Sequence, residues 1–468
     1  MKFRIQVVCV TDDGAEQTQQ VMEFERQELA METLGMSLLE GKALLQGVQE
    51  FVSDQQAMEF LKRSQPCPHC GQQRSVKANG SIPVHTVHGT VHLSNPRWRH
   101  CDCQPLETKS FHPLQSWLRG QTSPELLYLE NKWASLIPYG GVVRLLAEVL
   151  PTRDTLNAVT IRNHLLETAA QMEAELGEEK PVFFEGSEDD WEQQPTPDGP
   201  MTVGIDGGFV RAARKAGFFE VIAGKSIIEF RRNDEEPKPS SKCFSFVRTF
   251  DAKPRRRLWE LLKSQGMAEN QQVVFLSDGG DSVRNLQEYI HPYSEHWIDW
   301  FHITMRITVL LQQVKGLEGE QPELGQEVAR ELNSIKHFLW HGNTFQALQR
   351  LESLLINLEF PETPSDLTRK MAKVLGEFQT YISNNEGFIP NFGERRRNGE
   401  MISTAFVEST VNQVISKRMV KKQQMRWTQR GAHLLLQIRT KVLNNELEEV
   451  FRHWYPQFRA AAASAPAF

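Results

Sequence analysis

Three acidic residues stand in contexts suited to holding a divalent cation. Asp206 closes the apolar run Thr-Val-Gly-Ile-Asp and is followed by Gly207 and Gly208; Asp278 closes Val-Val-Phe-Leu-Ser-Asp and is followed by Gly279 and Gly280. Short apolar runs of this kind read as buried strands. In an open sheet the strand ends face the crevice where ligands bind, and glycine lets a bulky substrate backbone come close. Carboxylates gathered at such a place repel one another unless a hard cation neutralises them, so Mg²⁺ (or Mn²⁺) is the expected partner. Glu408 is placed to complete the set. It lies between the cations Arg395, Arg396 and Arg397 on one side and Lys417, Arg418, Lys421, Lys422 and Arg426 on the other. Acidic ligands holding two metals roughly 3.5 to 4 Å apart, with cations to grip a phosphate backbone, are what phosphoryl transfer needs. Asp-Gly is also a common turn, and a basic run is also how a solvated helix face reads. The two strand ends and the glutamate within a basic stretch carry weight together rather than singly. Between the second and third carboxylates, Asp299 and His302 form an Asp-x-x-His in which the histidine would orient a phosphate or move a proton and the aspartate would steer it.

A second constellation is made of thiols. Cys67-Pro-His-Cys70-Gly71 and Cys101-Asp-Cys103 are tight pairs separated by thirty residues, and four thiolates close a tetrahedral Zn²⁺ shell. Such a shell leaves no open position, so the expected zinc is a structural staple, with redox-active thiols as the lesser reading. His69, His85, His88, His92 and His100 are near enough in sequence for one of them to replace a cysteine. With six cysteines in 468 residues, a disulfide scaffold is excluded and a reducing compartment is expected.

The elements that must position these groups follow from pattern. Residues 1–65 hold an alternating hairpin, KFRIQVVCV and VMEFER around Asp12-Asp13-Gly14, then a helical run ended by Pro66. Residues 66–115 read as a zinc ribbon. Residues 116–176 turn helical at Ser123-Pro124 and break at 138–141 and 151–153, which suggests a helix-turn-helix-like unit whose Arg144, Arg153 and Arg162 would face DNA phosphates; an ordinary helical hairpin reads the same way. Residues 177–200, ending QQPTPDGP, form an acidic linker and the expected main boundary. Residues 201–302 alternate strand-like and helix-like stretches, the signature of an α/β sheet. Residues 303–390 are almost entirely helical and interrupt that unit, residues 391–455 resume it, and residues 456–468 are a low-complexity tail.

Composition excludes several classes. With 40% hydrophobic and 24% charged residues the chain falls among globular proteins, and no stretch offers the roughly 20 apolar residues of a membrane span. A cytoplasmic protein, associated with the nucleoid when bound to DNA, is expected. The net charge of −6 hides a segregation: residues 171–200 hold ten acidic and one basic residue, and residues 391–430 hold nine basic and three acidic. The basic stretch suits double-stranded DNA, because phosphate neutralisation supplies most sequence-independent affinity. Trp427 would either stack on a base or lie in the core.

With CPHCG and RHCDC, VGIDGGFVR, FLSDGGDSVRNLQEYI, HWIDWFHITMR and FVESTVNQVISKRMVKKQQMRWT, nearly the whole chain resembles the ISKra-type bacterial insertion-sequence transposases. These belong to the acidic-triad (DDE) class, built on a ribonuclease-H-like core. The resemblance implies that Asp206 and Asp278 are the two catalytic aspartates, with Asp281 the rival for the second, and that Glu408 is the catalytic glutamate, preceded by an all-helical insertion. Asp299 and His302 match the Asp-x-x-His element of related transposases. The implied activity is cleavage of transposon ends and transfer of the freed 3′-hydroxyl to target DNA, with a homo-oligomer assembled at least when DNA-bound. The competing expectations are a domesticated zinc-ribbon DNA-binding protein without catalysis, and a ribonuclease-H-like nuclease that cuts without joining.

Overall fold

In a computed structural model the described residues are 1–12, 14–103, 109–115, 118, 120–152, 156–195, 199–213, 217–228, 241–280, 286–287, 290–403, without 360–364, then 405–420 and 425–459. They form two compact units, Met1–Thr168 with Asn445–Phe468, and Ala169–Asn444. The division falls inside a helix, ahead of the acidic 177–200 segment where the sequence places the boundary. The reason lies in that segment's contacts. Its Glu179 accepts from the backbone N–H groups of Arg255 and Arg256, and Asn270 donates to the carbonyls of Gln194 and Pro195, so the segment is part of the second unit. The last residues of the expected 391–455 block, from Asn445 on, return to the first unit.

The first unit opens with the expected hairpin, β1 (Lys2–Val10) and β2 (Glu16–Glu25), antiparallel. Helix α1 (Leu38–Ser64) starts at Ser37, whose hydroxyl accepts from Glu40 N–H while the Glu40 carboxylate accepts from Ser37 N–H. Short strands follow: β3 (Val76–Ala78), β4 (Ser81–Thr86), β5 (Gly89–Ser94), β6 (Arg97–Arg99) and β7 (Ser110–Phe111). Helix α2 (Pro124–Leu136) begins as its sequence dictates, with Pro at the first position and the Ser123 hydroxyl accepting from Leu126 N–H. Helices α3 (Tyr139–Val149) and α4 (Ala158–Glu175) complete the helical stretch as three helices.

The second unit has a short capped helix, α5 (Glu188–Glu192), inside the acidic segment, then a mixed α/β sheet. Strands β8 (Met201–Arg211), β9 (Phe218–Ile228) and β10 (Ser241–Val247) run antiparallel in sequence. Helix α6 (Pro254–Ser264) leads to β11 (Val273–Ser277), parallel to β8, and β12 (Ser294–Ile298), parallel to β11. The strand order is β10-β9-β8-β11-β12, which makes β8 the central strand. One face is closed by α6: Leu258 and Leu262 pack with Met201, Val203, Ile205, Phe244, Phe246 and Phe275.

From β12 the chain enters four long helices, α7 (Trp300–Glu320), α8 (Pro322–Trp340), α9 (Thr344–Glu359) and α10 (Asp366–Asn384). Their buried residues recur at helical spacing, as with Val328, Leu332, Ile335 and Leu339 on α8, and make a core of their own. Short α11 (Phe392–Arg397) follows, then α12 (Ala405–Val411), which passes directly into a π-helix over Asn412–Val420. Helix α13 (Gln429–Leu443) closes the second face of the sheet: Gln437 donates to the Ser245 carbonyl and Asn444 bonds both backbone groups of Cys243. Helix α14 (Leu447–Trp454) belongs to the first unit. Among the described residues no helix is long and apolar enough to cross a membrane.

Candidate active site

Side chains alternate along a strand, so Gly204, Asp206 and Gly208 share one face of β8 while Val203 and Ile205 face the core under α6. The two glycines let α12 and the π-helix lie directly on the strand. A Cβ at Gly204 would stand 2.1 Å from Val407 Cγ2 and 2.9 Å from Phe406 Cζ, and one at Gly208 would stand 3.2 Å from Ile415 Cδ1. Val407 is fully buried and its neighbour Glu408 is exposed, so this packing delivers Glu408 to the face that carries Asp206. Asp278 arrives by register. Strands β11 and β8 pair in parallel up to Leu276 opposite Gly204, and two more residues along each strand bring Asp278 level with Asp206. Strands in register lie about 4.8 Å apart.

The electrostatics at Asp206 register this convergence. Burial raises its pKa above the ordinary 3.8; the Gly207 N–H, donating to Oδ1 at 2.7 Å, and His302 oppose the rise, while the charges of Asp278 and Glu408 add to it. Four groups separated by as many as two hundred residues in sequence thus act on one another. Asp278 is shaped by its glycines: Gly279 takes φ +87°, and the Gly280 N–H donates to Asp278 Oδ1 at 2.9 Å. A Cβ at Gly279 would also meet Asn385 Oδ1 at 2.5 Å, so the turn needs glycine on two counts. Asp281 lies outside the described residues.

Asp299 is fully buried and caps α7, accepting from the Phe301 N–H at 2.8 Å. The sequence gives it a place among the reacting groups; its position makes it a holder of the helix that carries His302. His302 Nε2 is 3.8 Å from Asp299 Oδ2 and is buried without a hydrogen-bond partner.

The basic residues divide. Arg396, Arg397, Lys417 and Arg426 are exposed, as are Arg144 and Arg162 of the first unit. Arg418 is not available to DNA: it is fully buried, its guanidinium 5.1 Å above the Trp427 ring, and Trp427 is itself a core residue rather than a stacking platform. Arg395 is engaged too, stacked 4.2 Å from Trp297 and paired with Glu400 at 2.5 Å and Glu295 at 3.7 Å. Arg153, Lys421 and Lys422 lie outside the described residues.

Gly204→Ala is a probe of this geometry. Its methyl has to push Val407 and Phe406 aside, which shifts Glu408 relative to Asp206. Over-packing of this kind costs about 1–3 kcal/mol, so Gly204→Ala is expected to lower the denaturation midpoint of the second unit; an unchanged midpoint would show that α12 need not sit so close.

In the first unit Cys67, Cys70, Cys101 and Cys103 place their sulfurs within 4.8 Å of one another, with Sγ–Sγ distances of 3.5 Å for Cys67–Cys103, 3.3 Å for Cys70–Cys101 and 3.5 Å for Cys70–Cys103. A tetrahedral shell with Zn–S near 2.3 Å sets sulfurs about 3.8 Å apart, so the set fits zinc. Gly71, at φ +74°, closes the knuckle by donating to the Cys67 carbonyl. The N–H groups of Cys70 and His69 hold the Cys67 thiol down to about 6, and crowding by the other thiols pushes Cys103 up. Among the described residues no histidine joins the group; His85 bonds Thr90 and His100 stacks on Phe111. Replacing Cys67 and Cys101 with Ser should remove stoichiometric zinc and, with it, the cooperative melting of the first unit; full zinc content in that variant would reject the ribbon.

One cluster has no signal in the sequence. Glu173, Asp251 and His433 also gather donors within 4.8 Å, but the Arg257 guanidinium fills their centre. It donates to Glu173 and Asp251 at 2.9 Å each and to Gln437 at 2.6 Å. The group is an internal ion network in which the arginine already occupies the carboxylates. The sequence matches no protein-family profile and no curated protein.

Proposed function

We propose that this protein is a DNA transposase of the acidic-triad class, acting by metal-assisted phosphoryl transfer. The observation that carries the reading is that Asp278, Glu408 and His302 stand near enough for their charges to act on the largely buried Asp206 of the central strand, although the three carboxylates do not gather their oxygens within 4.8 Å of one another. A sheet with an antiparallel triplet, two further parallel strands and helices on both faces supports a ribonuclease-H-like core, and the four-helix block between β12 and α12 supports the insertion such enzymes would carry.

Asp206, Asp278 and Glu408 would hold Mg²⁺, and their oxygens suit a hard cation. That ion supplies charge neutralisation and Lewis-acid assistance at phosphorus. The residues of the chain do the rest. The carboxylates fix where the reacting phosphate sits. His302, whose buried Nε2 makes no hydrogen bond and lies 3.8 Å from Asp299 Oδ2, would orient a phosphate oxygen or carry a proton. Exposed Arg396, Arg397, Lys417 and Arg426 hold flanking backbone. In the first step water adds across a P–O3′ bond, leaving a 3′-hydroxyl and a 5′-phosphate. In the second that 3′-hydroxyl attacks a target phosphodiester and releases the target's own 3′-hydroxyl. The zinc unit, with exposed Arg144 and Arg162 on its helices, supports recognition of duplex DNA.

The test is a plasmid carrying this reading frame's flanking DNA as donor, a second plasmid as target, and Mg²⁺. Joined products with recessed target strands are expected. Cleavage without joining would favour a nuclease, and DNA binding with intact strands would favour a regulator that has kept the fold alone.

A further inference from the structure

Two side chains beside Asp278 are absorbed by neither the metal site nor the expected DNA contacts. Tyr381, on α10 of the helical block, donates its hydroxyl to the backbone carbonyl of Asp278 at 3.1 Å. Arg306, on α7 one turn beyond His302, lays its guanidinium 4.0 Å from the centre of the Tyr381 ring. Residues four apart share a helix face, so Arg306 and His302 project on the same side of α7. Arg306 is exposed, and no ion pair to a carboxylate is seen for it among the described residues. An exposed arginine held against an aromatic ring near the acidic side chains has the chemistry of a phosphate clamp.

We propose that Arg306 binds a DNA phosphate flanking the scissile bond, and that Tyr381 positions both this arginine and Asp278, so that the helical block is part of the substrate site. This rests on the proposed DNA strand-transfer function. Burial pushes the Tyr381 hydroxyl up to about 12, so it stays a donor throughout the working pH range. The two residues differ in what their variants remove. Phenylalanine at 381 keeps the ring under Arg306 and removes the hydroxyl that bonds the Asp278 carbonyl, whereas glutamine at 306 loses the charge and leaves that bond in place.

The experiment uses the full chain and a DNA duplex from the flanking sequence, in which single phosphates are replaced one at a time by neutral methylphosphonate. Wild type should lose about tenfold in KM or more at one phosphate next to the cleavage point. Arg306→Gln should show a similar KM rise on unmodified DNA, about the value of one charge-assisted phosphate contact. It should show no further loss at that one methylphosphonate, and its binding in Ca²⁺ should fall less steeply with salt by about one phosphate contact. Arg306→Lys should recover only part, since an ammonium neither forks nor stacks as well. Tyr381→Phe should lower kcat with KM unchanged. Equal sensitivity of Arg306→Gln and wild type at every methylphosphonate, in a variant that melts like wild type, would overturn the assignment. Wild type that leaves DNA intact under all these conditions would instead overturn the function on which it rests.

Discussion

Asp206→Asn, Asp278→Asn and Glu408→Gln are each expected to lower strand cleavage and joining at least about a thousandfold, because each removes a ligand from a site worth several kcal/mol of transition-state charge stabilisation. Each amide is nearly isosteric, so the backbone positions set by Gly204, Gly208 and the Asp278 turn survive, and DNA binding through the exposed arginines and lysines should change little. Stability should move the other way. Burial and the neighbouring charges of Asp278 and Glu408 raise the Asp206 pKa in the folded protein, so its ionised form costs stability at neutral pH, and that cost fades as pH falls through the raised value. The metal-free Asp206→Asn protein should therefore melt higher than wild type at pH 7, and the difference should shrink on acidification. Added Mg²⁺ should raise the wild-type midpoint and leave that of Asp206→Asn unmoved. The same raised pKa predicts that wild-type Mn²⁺ affinity weakens with falling pH from a midpoint above the ordinary aspartate value of 3.8. Joining that persists in all three variants, or a destabilised Asp206→Asn, would remove this site.

Much of this arrangement could be read from the chain because the signals are local. A strand ending at Asp278-Gly279-Gly280, a Cys-x-x-Cys knuckle with its glycine, and Ser-Pro at a helix start are each decided within a few residues, whereas Asp206 does not end its strand as expected, because β8 keeps pairing with β9 through Gly207 and Gly208 to Arg211. The helices of the 303–390 block announce themselves by apolar period. Other features depend on phase or on distance. Lys417 and Arg418 are neighbours in a basic run, yet one is exposed and the other fully buried, because the π-helix turns the face that carries Val414, Ile415, Arg418 and Met419 into the core and leaves Lys417 outside it. Arg395 looks like a phosphate contact until β12 supplies Trp297 and Glu295 to hold it. Asp299 reads from sequence as a partner of His302, and only the fold adds that its other carboxylate oxygen caps α7 through the Phe301 N–H. Tyr381 lies about a hundred residues from Asp278, and nothing in the sequence links the two.

Arg257→Leu should destabilise the second unit by about 3–5 kcal/mol, the largest stability effect expected from one substitution here. Arg257 stands in a run of three arginines at the start of α6, where sequence alone would leave it in solvent; instead it is almost wholly buried and holds together α4, the loop after β10 and α13. Leucine fills much of its volume but leaves Asp251 and Glu173 as uncompensated charges, with only His433, 3.4 Å from Glu173, able to charge in response. The pH dependence separates this from simple loss of packing. In wild type, burial raises the Glu173 pKa but His433 and Arg257 outweigh it and hold the group at about 2, below its ordinary 4.5, so the network's contribution is complete above pH 4.5 and drains away as pH falls toward 2. In Arg257→Leu the same carboxylates lie buried without their partner, their pKa values rise, and acidification to about pH 5 should recover stability that wild type does not gain. Adding Glu173→Gln and Asp251→Asn to Arg257→Leu should restore more than half of the loss, since the penalty lies in stranded charge rather than in the missing ion pair. Denaturant melts of the three proteins at pH 5 and pH 7 decide the matter: a loss under about 1 kcal/mol in the single variant, or one that deepens on acidification, would mean that the network is solvated and the unit is held by its apolar core alone.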